Sequence, residues 1–133
     1  MRAREISFAL ALSALFFISP ARDAAAQMDA LKNTTPEERA RIQDEMMKKK
    51  LDLTPDQQPK IASINLKYAQ KMEPLLKGSE RPLMEFRDMR ELNDAKEGEL
   101  KTVLSPEQFK KYLDSKEEMR AKFEERIKEQ SGH

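Results

Sequence analysis

One local pattern occurs three times and constrains the fold more than any other feature of the chain. Thr35-Pro36-Glu37-Glu38, Thr54-Pro55-Asp56-Gln57 and Ser105-Pro106-Glu107-Gln108 each run hydroxyl, proline, acid, then Glu or Gln. The hydroxyl accepts from an otherwise unpaired amide of a helix's first turn, and proline at the first helical position lacks an N–H that has no partner there anyway. The acid faces the positive end of the helix dipole, and the Glu or Gln bonds back to the cap amide to complete a capping box. Three helix starts are therefore predicted. Leu104 and Phe109 flank the third as a hydrophobic staple, whereas at the second Leu53 faces Gln58, with Pro59 next. Proline there disfavours a regular helix, so two starts fit: one at Thr54 with a distorted first turn, and one near Pro59.

Apolar residues at steps of three and four predict four helical segments. The first, about Pro36 to Lys50, carries Ile42 and Met46 and is closed by Leu51 and Leu53. The second, about Pro59 to Lys77, carries Ile61, Ile64, Tyr68, Met72, Leu75 and Leu76, with Pro74 expected to kink or shorten it and Gly78 to stop it. The third starts near Pro82 and runs Leu83, Phe86, Met89, Leu92, Ala95, then drifts to Leu100 and Val103. The fourth, Pro106 to about Gln130, carries Phe109, Tyr112, Leu113, Met119, Phe123 and Ile127. Every stripe is narrow. Acid-to-base pairs four apart, such as Glu73 with Lys77 and Glu118 with Lys122, mark solvated flanks. The expectation is an all-α fold of about four helices in thin layers or hairpins, with apolar edges left for a second chain or a client.

Composition narrows the class. With 133 residues, 37% charged, three glycines and no cysteine, the chain fits one small helical domain and not a sandwich, a Rossmann unit or a disulfide scaffold. An exported chain without disulfides must find its stability in helix packing or in association, so a homodimer is expected.

The first residues have a separate logic. Arg2 and Arg4 precede an apolar run from Ile6 to Ile18, and Pro20 precedes a small-residue stretch ending Ala24-Ala25-Ala26. This is the layout of a secretory signal peptide over residues 1–26, cut after Ala26, with Ala21 as the alternative. The run falls short of the roughly 20 apolar residues that a membrane-spanning helix needs. Loss of residues 1–26 removes three bases (Arg2, Arg4, Arg22) and two acids (Glu5, Asp23) from 25 and 24, leaving 22 of each. That balance argues against a nucleic-acid partner and against an anionic membrane surface. Residues 27–34 are polar and aperiodic, the expected disordered leader, before a helical domain over 35–130 and a short tail over 131–133.

Catalytic and metal motifs are scarce. His133 is the only imidazole, and no phosphate-cradling, dinucleotide-binding or nucleophile-elbow motif occurs. Neither an enzyme nor a cofactor is expected, and no residue is assigned to metal. Lys48-Lys49-Lys50 complements the negative end of the first helix. The methionines fill core gaps by default, and a pliable binding surface is their other use.

Leu53-Thr54-Pro55-Asp56-Gln57 and Leu104-Ser105-Pro106-Glu107-Gln108 resemble the twin LTxxQ motif of the Spy and CpxP family of periplasmic proteins. The likeness extends over about Thr35 to Ile127. It implies four helices in a thin, curved, cradle-like antiparallel dimer, and an ATP-independent chaperone or envelope-stress role. Its partners would be unfolded or misfolded envelope proteins. The alternative it implies is regulatory: inhibition of a sensor kinase, or a response to divalent metal. Capping assigns Thr54, Gln57, Ser105 and Gln108 a structural role, with Leu53 and Leu104 preceding them, and leaves the client-binding residues unassigned. Ser105 stands where the motif has Thr, and the balanced mature charge departs from a basic cradle.

Overall fold

The computed structural model describes residues 29–78 and 82–132, except the side chains of residues 82–86. The expected signal peptide and its cut after Ala26 lie outside the described residues, as does His133. Among the described residues the chain is all-helical, without strands. A helical stretch at residues 29–32 leads into α1 (Pro36–Leu51), α2 (Gln57–Lys77), α3 (Pro82–Val103) and α4 (Pro106–Ser131). α2 packs along α1, α3 packs along α2, and α4 returns against α1, while α3 and α4 meet each other little.

The helix starts follow the capping chemistry. At α1 the Thr35 hydroxyl accepts from Glu38 N at 3.1 Å and the Glu38 carboxylate accepts from Thr35 N at 2.8 Å. At α4, Ser105 and Gln108 form the same box. The middle start follows the first alternative: Thr54 and Gln57 close the reciprocal pair at 3.0 and 3.3 Å, the amides of Gln57 and Gln58 both return to the Thr54 carbonyl, and after this distorted turn the regular helix runs from Gln57. Pro59 is the third residue of the regular helix, so its missing N–H interrupts the bonding only in the entry turn. Gln58, which is no staple partner for Leu53, instead donates from Nε2 to the Leu53 carbonyl at 3.2 Å. Pro74 does not shorten α2, which continues to Lys77 and is closed by the Gly78 amide on the Pro74 carbonyl at 3.0 Å. Buried Leu76 holds that last turn.

α1 ends on Asp52, the non-glycine residue with positive φ (50°) among those described. Its amide caps the Lys48 carbonyl, but an L side chain is disfavoured in that left-handed conformation. Asp52→Gly is expected to raise the unfolding free energy by about 0.5–1 kcal/mol, seen as a higher urea midpoint at unchanged slope.

Residues 29–34 correct the expectation of a disordered leader. They are helical over 29–32, and Ala30 and Thr34 are buried. The reason is Arg39, 3% exposed, whose guanidinium donates to the carbonyls of Leu31 (2.9 Å) and Thr34 (2.6 Å) and to the Thr34 hydroxyl, and pairs with Glu73 of α2. Ala30 joins Ile42 and Ile127 in an apolar cluster flanked by Leu31, Met46 and Phe123. A larger cluster around Leu51, Leu53, Ile61, Leu100, Leu104 and Met119 fills the opposite end. Both leucines that precede the repeated motif thus sit in the larger core.

Polar side chains lie alongside these clusters. Asn65, fully buried, donates from Nδ2 to Asp44 at 2.7 Å, and Lys96 donates to Gln43 Oε1 at 2.7 Å. Burial raises the Asp44 carboxyl above its ordinary value, against the Asn65 hydrogen bond and Lys96. Burial also lowers the Lys96 ammonium to about 8, although Asp44 and Glu97 pull the other way.

Candidate functional site

The two motif copies meet. Each lies in a junction, the first between α1 and α2 and the second between α3 and α4, and their glutamines face one another. Gln57 Nε2 donates to Gln108 Oε1 at 2.7 Å, and Gln108 Nε2 donates back to Gln57 Oε1 at 2.9 Å. Each amide also reaches the end of a helix from the other half: Gln57 Nε2 binds the Val103 carbonyl and Gln108 Nε2 the Leu51 carbonyl, both at 3.1 Å. Each Oε1 completes its own capping box by accepting the amide of Thr54 (3.0 Å) or Ser105 (2.9 Å). Both donors and both acceptor positions of each amide are therefore used.

This double clasp ties four helix termini at one point. Leu51 and Val103 lie in the last turns of α1 and α3, where carbonyls have no intrahelical partner, and the clasp supplies donors to them. Its glutamine amides are neutral, and the Thr54 and Ser105 hydroxyls accept from the Gln57 and Gln108 backbone amides as helix caps, so its role is positional. Thr54 is exposed, Gln57, Ser105 and Gln108 are half-buried, and Leu53 and Leu104 are buried beneath them. The cross-pairing is invisible to a reading of each copy alone. Its only trace in the sequence is that both copies end on an amide, where the box at Thr35 ends on Glu38.

Beside the clasp, at the start of α4, the rings of Phe109 and Tyr112 stack with centroids 6.0 Å apart and planes inclined by 23°. Lys101 of α3 lies 5.8 Å from the Phe109 ring centre. Burial, with Glu97 adding to it, pushes the Tyr112 hydroxyl up to about 12. Leu113 next to this pair is 44% exposed. Lys116 pairs with Glu97 across the same junction. A shallow recess of about 320 Å³ opens elsewhere, against Leu53, Pro59, Ile61 and Ala62, rimmed by Asp44, Glu45, Lys48 and Gln58. Among the described residues no three His, Asp or Glu side chains come together as a metal site, and no helix is long and apolar enough to cross a membrane.

A family model described as a domain of unknown function, DUF4890, matches residues 21–112. The chain belongs to the DUF4890 family. The DUF4890 match takes in both motif copies, and so the whole clasp, and ends at Tyr112 in the first part of α4. No curated protein and no solved structure matches the chain.

Proposed function

We propose that the chain is a periplasmic, ATP-independent chaperone of the holdase type, exported by a signal peptide cut after Ala26, which shields unfolded segments of other envelope proteins. The observation that carries this reading is the apolar surface beside the clasp. There Leu113 is exposed and Phe109 and Tyr112 are half-buried, with Lys101, Lys110 and Lys111 close in sequence or space. Half-exposed aliphatic and aromatic groups framed by charge suit weak, reversible capture of varied unfolded chains. The twin-motif resemblance to the Spy and CpxP proteins and the leader-like first residues support the same reading.

The reading includes a second copy. Narrow apolar stripes, and an α3–α4 side that is little packed, favour a thin antiparallel homodimer, to be tested by sedimentation equilibrium of the chain starting at Gln27. Light scattering from an unrelated protein diluted out of denaturant tests the function. Suppression at near-stoichiometric ratios is expected without nucleotide. Full aggregation at several-fold excess of the folded chain would refute it.

A further inference from the structure

α4 carries two stripes. Ser115, Met119 and Ile127 are buried against the rest of the chain, while Lys110, Leu113, Glu117 and Arg120, at steps of three and four, are all exposed along another side of the helix. Leu113 is the large apolar side chain exposed among the described residues, and Phe109, half-buried one turn earlier, widens the apolar spot. The charges beside it differ in their partners. Lys116 is taken by Glu97 of α3 and Arg120 by Glu124, whereas Lys110 and Glu117 enter no ion pair among the described residues. They flank Leu113 three residues before and four after, with a cation on one side and an anion on the other.

We propose that this exposed stripe is the homodimer contact, with α4 of a second copy lying antiparallel across it and the two-fold axis passing at Leu113. Such an axis brings the two leucines together. It also sets Lys110 of each chain level with Glu117 of the other to within one residue's rise, about 1.5 Å, because a two-fold contact made once is made twice. Both unpaired charges then gain a partner in each copy. A parallel pairing would set lysine on lysine and glutamate on glutamate, so the order of charges along the stripe selects the antiparallel arrangement. Lys116 and Arg120, already neutralised within the chain, do not oppose it.

From Lys110 to Arg120 the contact runs about 15 Å along one helix face. That is well short of the roughly 800 Å² per partner of a standard stable interface, so dimerisation is reversible and in the micromolar range or weaker. Phe109 and Leu113 also belong to the surface proposed for clients, and a contact this small is one that a client displaces. That use rests on the chaperone reading, whereas the pairing itself is measured without a client.

Sedimentation equilibrium of the chain starting at Gln27 tests the axis by charge reversal. Lys110→Glu and Glu117→Lys each turn two attractive contacts into two repulsive ones, and each should weaken dimerisation by about tenfold or more. The two variants mixed in equal amounts, and the double variant Lys110→Glu/Glu117→Lys, restore opposite charges at both contacts and should recover the natural constant to within about threefold. Both positions are exposed, so circular dichroism should be the same for every variant. A chain that stays monomeric at millimolar concentration overturns the dimer itself, and a dimer whose constant no reversal moves, or that mixing does not restore, overturns α4 as its contact. Suppression of aggregation is read separately by light scattering, so failure of the chaperone reading is distinguished from failure of the pairing.

Discussion

Arg39→Met should lower the unfolding free energy by about 3 kcal/mol, the scale for breaking a buried ion pair from one side. Methionine preserves much of the stem's packing, so the loss isolates the guanidinium. The Leu31 and Thr34 carbonyls and the Thr34 hydroxyl lose their donor, and Glu73 keeps only Lys77, at 3.0 Å. Urea titration followed by far-ultraviolet circular dichroism reads the change, and Tm should fall by about 10 °C or more. Arg39→Lys should recover only part, because a point charge cannot serve carbonyls and a carboxylate in one plane. The pair also sets an acid response. Burial alone raises the Glu73 carboxyl, but hydrogen bonds from Arg39 and Lys77 more than reverse it, and the net pKa lies below the ordinary value. Its stabilisation is present above the unfolded value near 4.5 and is lost as the pH falls through the depressed folded value. Arg39→Met should flatten that part of the stability profile, while an unchanged profile would show that Arg39 does not hold Glu73.

The clasp gives the second large effect. Gln57→Ala and Gln108→Ala each remove two donors and two acceptors, leaving a helix-end carbonyl, a cap amide and half of the other glutamine without partners. Each single change should cost about 2 kcal/mol, since half-buried groups regain some water. Because the mutual pair is lost in both, the double variant should lose about 1 kcal/mol less than the sum of the two. Strict additivity in a double-mutant cycle would mean that each glutamine serves only its own helix. Gln→Glu at either position is a sharper variant, as a carboxylate has no donor for Val103 or Leu51.

The local parts of this structure were legible in the sequence, and the tertiary parts were not. Capping boxes at Thr35 and Ser105 depend on residues within one turn, so hydroxyl, proline and acid suffice to specify them. Four helices followed from apolar spacing, with ends close to those observed. The Thr54 start was ambiguous because Pro59 penalises a helix counted from Thr54, and the chain meets that penalty with a distorted turn at Thr54 and a regular helix from Gln57. Residues 27–34 carry no period, and order from residue 29 comes from Arg39, Ile42 and Ile127, which lie elsewhere in the chain. Nothing local distinguishes Arg39 from the solvated Arg41 two positions later. Pairing of Gln57 with Gln108 depends on bringing two junctions fifty-one positions apart into contact, and neither junction alone carries that information. Lys96 is one charge among many in the third segment, and only the packing of α3 places it against Gln43.

Light scattering from a denatured client, with the chain starting at Gln27 set beside its Leu113→Glu variant, tests the proposed function most directly. Leu113 is the exposed large apolar residue beside the stacked Phe109 and Tyr112, so the substitution places a charge in the proposed surface without opening a cavity. The natural sequence should suppress aggregation at near-stoichiometric ratios, and Leu113→Glu, with unchanged circular dichroism and Tm, should need several-fold more protein for the same effect. A folded natural chain that leaves aggregation untouched at several-fold excess contradicts the account.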